Sequence, residues 1–360
     1  MDFFYSFPAV CGVQADRQYY IAMFPLRILS KLFDIDGEYI PPEYRAQRRL
    51  NEQRIPEIRN YILENPKTYV FSALAASVDG EMEFFPCDDN KQLGTLHISI
   101  DATFLINDGQ HRIAAILEAL EEKDDLGSET ISMVLFEDLG LSRSQQMFTD
   151  LNKHAVRTTN SIAELYDSRD ALAVATREAI KAVNFLDRYT DKEHDNLGKN
   201  SASLFTLNMV YKANKRILGN KQVSDRVSTF LIEFWQTVSD HMRPWNEMDQ
   251  GKLSKRDLRE QTIAVQAVCL QALGRVGSYF FNENKPLLPL DNLESIDWRR
   301  SSPQWLRRTI GENGRIITNN LAVCLTAAAV KETLGLPLSD EDIRHEQKLM
   351  SPHERRRANV

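Results

Sequence analysis

The stretch Thr103–Leu120, TFLINDGQHRIAAILEAL, limits what this chain can fold into more than any other. An apolar β-type run, Phe104–Leu105–Ile106, meets the turn-forming residues Asn107, Asp108 and Gly109. Beyond the turn, Ile113, Ile116, Leu117 and Leu120 recur at the i, i+3, i+4, i+7 spacing of a helix with one apolar face. A strand that enters a helix through glycine gathers the helix's first free N–H groups, with their partial positive charge, at one point. Arg112, in the first turn, can reach the same point. Gly109, Gln110 and Arg112 are therefore candidate phosphate- or nucleotide-binding residues. Asp108 and His111 are candidate catalytic groups, one a proton acceptor or metal ligand, the other titrating near neutrality. The same residues equally support a plain structural turn. In that case Asp108 caps the helix, Gly109 serves the turn, and Arg112 pairs with Glu118 or another surface acid.

A chain of 360 residues can bury a large core and is long enough for two units. No apolar run approaches the length of a membrane span. The first residues, MDFFYSFPAVCGVQ, have no basic lead and alternate like a strand rather than a signal peptide. Cys11, Cys87, Cys269 and Cys324 are far apart and form no C-x-x-C pair. That argues against a zinc ribbon or disulfide framework and for a reducing cytoplasm. The seven histidines are dispersed as well, so no metal site is expected. The net charge of −7 does not predict nucleic-acid binding by itself, because only a local basic face has to meet phosphate.

Strand-like runs fill the first part of the chain: FFYSF, QYYIAMF, YVFSALAASV, MEFF, LHISI, TFLI and ISMVLFE. The last follows the strand–turn–helix unit and suggests a βαβ arrangement in a mixed sheet. Between these runs lies helical text, PEYRAQRRLNEQRIPEIRNYILENP, which is rich in arginine. It offers Arg45, Arg48 and Arg49 as candidate DNA contacts or as a solvated helix face. Ser142 and Gln145 read as a capping box. The polar segment Leu151–Ser161 adds Asn152, Lys153 and Arg157 as candidate ligand contacts, with His154, Thr158 and Asn160 nearby.

Past residue 160 the β signal ends. Helices are expected over Ile162–Val183, Ser203–Leu218, Val223–His241, Leu258–Phe281 and Ile316–Leu334. Two basic clusters stand out. Lys212, Lys215, Arg216, Lys221 and Arg226 oppose a single acid, Asp225. Arg299, Arg300, Arg307, Arg308 and Arg315 interleave with Trp298 and Trp305, a mixture that suits phosphate contact and base stacking but equally a protein interface. Lys215, Arg216, Arg299, Arg300, Arg307 and Arg308 are the candidate DNA-binding residues of this half. The tail Glu354–Arg357 could add non-specific attraction to DNA. There is no Walker A lysine motif, paired metal-carboxylate motif or nucleophile beside a base.

Asp108-Gly109-Gln110-His111-Arg112 is the signature of the DGQHR domain family, and Phe148-Thr149-Asp150-Leu151-Asn152 resembles that family too. The strand, G-x-x-R turn and helix also resemble the nucleotide-binding motif of the ParB/sulfiredoxin superfamily. Phe7-Pro8-Ala9, Tyr19–Met23, Pro41–Arg48, Arg54–Ile58 and Tyr69–Leu74 resemble the DndB family of the DNA sulfur-modification (phosphorothioation) system. The resemblance implies an α+β chain: a mixed-sheet, ParB/sulfiredoxin-like domain over 1–160 and an all-helical domain over 161–360. It further implies a DNA-binding transcriptional repressor of a phosphorothioation gene cluster that limits sulfur modification. The alternative is a nucleotide hydrolase or DNA-processing enzyme using the DGQHR turn, with ATP and Mg2+ or another nucleoside triphosphate as cofactor. Expected partners are double-stranded operon DNA, other sulfur-modification proteins and further copies of the chain. A third reading is an assembly factor that binds the sulfur-transfer machinery without DNA.

Overall fold

The computed structural model describes residues 3–33, 52–138, 140, 146–147, 150–151, 158–198 and 201–349. The chain divides into two compact units, Met1–Val156 and Arg157–Val360, and its class is α+β.

The first unit is built on a seven-stranded mixed sheet. Its strands are β1 (Phe4–Gln14), β2 (Arg17–Pro25), β3 (Leu74–Asp79), β4 (Met82–Pro86), β5 (Leu93–Ser99), β6 (Thr103–Asp108) and β7 (Thr130–Glu137). Their order is β4-β5-β1-β2-β7-β3-β6. Side chains of period two set the buried face, with Phe7 and Ala9, Tyr20, Ala22 and Phe24, Leu96 and Ile98, and Ile131, Met133 and Leu135 all turned inward. Three helices complete the described part: α1 (Leu29–Leu32), α2 (Ile55–Glu64) and α3 (Gln110–Glu122). Ile113 and Ile116 of α3 join the sheet's core, whereas Ala114 and Ala115 pack on Ile55 and Ile58 of α2. The small alanines let α2 approach, so α3 is buried on two sides and not on the one its periodicity suggests.

The expected βαβ crossover is not formed. β6 and β7 flank β3, antiparallel and parallel to it respectively, so they run in opposite directions. Periodicity identifies strands and helices, but strand direction depends on the path the helix takes across the sheet. The capping box at Ser142–Gln145 and the candidate DNA contacts Arg45, Arg48 and Arg49 lie outside the described residues.

The second unit is helical: α4 (Asn160–Tyr166), α5 (Ala171–Ala182), α6 (Asn184–Tyr189), α7 (Leu207–Leu218), α8 (Asp225–His241), α9 (Arg243–Asp249), α10 (Lys255–Gln261), α11 (Ala267–Glu283), α12 (Asn320–Thr333) and α13 (Asp340–Leu349). One short parallel pair, β8 (Thr190–Asp191) with β9 (Phe205–Thr206), interrupts the helices. Two of the expected helices are each split in two. At Asp167–Asp170 the carboxylates take over the backbone: Asp167 accepts from the N–H groups of Arg169 and Asp170, and Asp170 caps α5 at Leu172 and Ala173. Between Gln261 and Ala267, Thr262 bridges to Arg299 instead of continuing the helix.

Packing in this unit is close. A Cβ on Gly274 would sit 2.4 Å from the Ala213 carbonyl oxygen, so glycine sets the approach of α11 to α7. Buried Asn214 donates to Thr176 Oγ1 at 2.9 Å and accepts from Trp235 Nε1 at 2.7 Å, tying α5, α7 and α8 together. The α8 stripe of Val227, Leu231, Phe234, Trp235 and Val238 is core, as its spacing implies. Beside Asn208, which donates to Glu164 Oε1, the other oxygen of that carboxylate is buried without a hydrogen bond among the described residues.

Burial pushes the Glu164 carboxyl up to about 7, outweighing the Asn208 hydrogen bond. A raised folded-state pKa means that the folded state binds the proton more tightly. The stabilisation is therefore complete below the ordinary carboxyl range and is lost as pH rises through about 7. Glu164→Gln should gain stability over wild type progressively between pH about 5 and about 8, read by urea denaturation. A difference independent of pH would contradict the assignment.

Candidate functional site

Gly109 is the pivot of the strand–turn–helix unit. Its φ of +105° is disfavoured for residues with a Cβ, and a Cβ there would fall 2.3 Å from Leu74 Cδ2. Glycine thus lets the chain leave β6 directly over the side chain of β3's first residue. Gln110 then opens α3, whose first turn has no side-chain cap.

Arg112 has four acceptors. Its NH1 donates to the Ser72 carbonyl at 2.6 Å, to Ser72 Oγ at 2.7 Å and to the Ala73 carbonyl at 3.1 Å. Its NH2 donates to Asp108 Oδ2 at 2.6 Å. The Arg112 side chain is 17% exposed and that of Asp108 47%. Asp108 is therefore the partner of Arg112, not a helix cap, and Glu118 pairs instead with Arg59. Burial, followed by the nearby Arg54 cation, lowers the His111 pKa below the ordinary imidazole value. The five-residue signature is a brace that ties the β6–α3 turn to the segment entering β3. Neither Ser72 nor Ala73 carries a sequence signal for this role, because the contacts run largely through backbone carbonyls.

One residue before the signature, Asn107 is 1% exposed and donates to Ser77 Oγ at 2.8 Å. Its side-chain oxygen is buried without a hydrogen bond among the described residues. A cleft of about 850 Å3 opens in this unit, lined by Arg17, Gln18, Tyr19, Glu137, Met147 and Asp150 among others. None of Asp108–Arg112 lines it. The candidate contacts Asn152, Lys153 and Arg157 lie outside the described residues, as does His154. Asn160 serves structure instead, giving both its backbone and side-chain N–H groups to Asp195 Oδ2.

In the helical unit, the two tryptophans of the arginine-rich segment are core residues. Trp298 and Trp305 stack at 5.7 Å and donate to backbone carbonyls, so they cannot stack on bases. Three of the interleaved arginines are neutralised within the chain: Arg299 by Asp297, Arg307 by Glu312, and Arg308 by Glu346. Arg300 donates to the carbonyls of Thr262 and Arg259. The α7 cluster differs. Lys212 and Lys215 are exposed, and Arg216 donates to Gln271. Lys221 and Arg226 lie against the Phe281 ring at 5.3 and 5.4 Å and bond to Asn282 and Asn284. Lys212 also borders a cleft of about 490 Å3 together with Arg256, Arg259 and Arg300.

Arg112→Ala should strand Asp108 and two carbonyl groups and destabilise the protein by about 1–3 kcal/mol in denaturant titration. An unchanged midpoint would remove the brace assignment.

No helix among the described residues is long and apolar enough to cross a membrane. No curated protein and no solved structure matches the chain. A family model described as "DndB: DNA-sulfur modification-associated" matches residues 7–337.

Proposed function

Because the chain belongs to the DndB family of DNA-sulfur modification-associated proteins, we propose that it serves that modification as a DNA-binding transcriptional regulator, repressing the modification genes. The observation that carries this reading is the charge pattern of the helical unit. Lys212, Lys215, Arg216, Lys221 and Arg226 make no ion pair with a carboxylate among the described residues, whereas Arg299, Arg307 and Arg308 each make one. Residues at i, i+3 and i+4 share a helix face, so Lys212, Lys215 and Arg216 lie together on α7. Cations that are not held by a carboxylate remain more available to phosphate, and contacts of that kind dominate DNA affinity. The reading extends to an oligomer on a two-fold operator, by analogy with other repressors.

The alternative, hydrolysis of ATP or another nucleoside triphosphate at the DGQHR turn, finds less support. Arg112 already has four acceptors, and Asp108 is held by Arg112. A phosphate clamp by Arg112 would compete with these bonds.

Fluorescence anisotropy on a duplex from upstream of the operon, against a scrambled duplex at two salt concentrations, tests the proposal. Wild type should prefer the operon duplex. Charge reversal at Lys212 and Lys215 should weaken binding and reduce the salt slope by about 1 per lost phosphate contact. Arg307→Glu should leave both nearly unchanged. Equal affinity for the two duplexes, or full binding by the Lys212/Lys215 variant, would refute it.

A further inference from the structure

Helices α12 and α13 bring together a thiol, a carboxylate and an imidazole that sequence spacing conceals. Cys324 Sγ, a carboxylate oxygen of Glu341 and a ring nitrogen of His345 lie within 4.8 Å of one another. Glu341 and His345 stand at i and i+4 on α13, so one helix face presents both. Cys324 comes from the buried part of α12. Nδ1 of His345 is buried and has no hydrogen bond among the described residues, a costly state for a ring nitrogen.

We propose that Cys324, Glu341 and His345 form a zinc-binding site that pins α13 to α12. The donor set is one sulfur, one nitrogen and one oxygen, which suits a borderline-soft dication and excludes the all-oxygen preference of Ca2+ and Mg2+. A thiolate and a carboxylate together cancel the charge of Zn2+. Three protein ligands leave one tetrahedral position for water. Metal–ligand bonds of about 2.0–2.3 Å require the three donor atoms to draw together by roughly an ångström, a side-chain adjustment. The surroundings supply outer support. Arg275 NH2 donates to Glu341 Oε2 at 3.0 Å and to Asp342 Oδ1 at 2.9 Å, which orients Glu341 and leaves its second oxygen for the metal. The same helix is anchored by Lys331–Asp342 and Arg308–Glu346, so the site forms on an already positioned element. The family match ends at residue 337, so Glu341 and His345 lie beyond it while Cys324 lies within.

The test is titration of the full-length, metal-stripped protein with Co2+ and then Zn2+, its thiols kept reduced. One equivalent of Co2+ should give thiolate-to-cobalt charge-transfer absorbance that Zn2+ abolishes. Zn2+ should also raise the melting temperature. Cys324→Ser should remove the absorbance. His345→Ala should weaken binding by more than the roughly 10–100-fold that losing an outer-shell group costs. Because Cys324 is buried and its variant can misfold, His345→Ala at a half-buried position gives an independent decision. Absence of the thiolate band in wild type overturns the proposal. So does a band that survives in folded Cys324→Ser, or wild-type affinity in His345→Ala.

Discussion

The contact between Gly109 and Leu74 is the constraint on which the sheet-bearing unit depends. Leu74 is fully buried at the start of β3, the strand that β6 and β7 both flank. Only a residue without a Cβ lets the chain turn into α3 directly over that leucine. Once the turn is placed, Arg112 reaches the carbonyls of Ser72 and Ala73 just ahead of β3 and closes the arrangement from the other side. Strand pairing, helix entry and the charged brace are therefore one structural decision. A guanidinium that satisfies two backbone carbonyls, a hydroxyl and a carboxylate has little left to offer a ligand. The signature's residues are also absent from the lining of the cleft of about 850 Å3.

Much of this fold was legible in the chain. Apolar β-type runs located the sheet's seven strands, and the stripe from Val227 to Val238 located a core helix. What periodicity omits is direction and interruption. The opposed β6 and β7 follow from where α3 lies, which no local pattern encodes. The break at Asp167–Asp170 was written in the sequence as two aspartates that outcompete helical hydrogen bonds, yet the apolar spacing on either side masked it.

The candidate sites were less legible, for a definite physical reason. Arginine and tryptophan mean phosphate and base contact only when they face solvent without internal partners. Trp298 and Trp305 instead fill the core, and Arg299, Arg307 and Arg308 find carboxylates, two of them within five residues. Conversely, Cys324 gave no signal, because its neighbours Glu341 and His345 belong to a different helix and come together only through packing. Dispersed histidines in a sequence say little about dispersed histidines in space.

Net charge is an equally blunt guide. The chain carries −7, but charge acts over about 8 Å at physiological salt, so a ligand senses the face it meets rather than the total. Many of the arginines in this protein are used for cohesion: Arg275 and Arg308 hold α13, and Arg112 braces a turn. Cations bonded in this way have exchanged hydration for fixed partners and would need to break those bonds to bind phosphate. Lysine is the less suited to such fixed pairing, being a compact, strongly hydrated charge on a flexible stem. Lys212 and Lys215 remain solvated on α7, where binding a phosphate displaces water and counterions but breaks no ion pair. On the proposed reading, cations held by carboxylates, Lys331 among them, serve cohesion, and Lys212 and Lys215 are the ones left to meet phosphate.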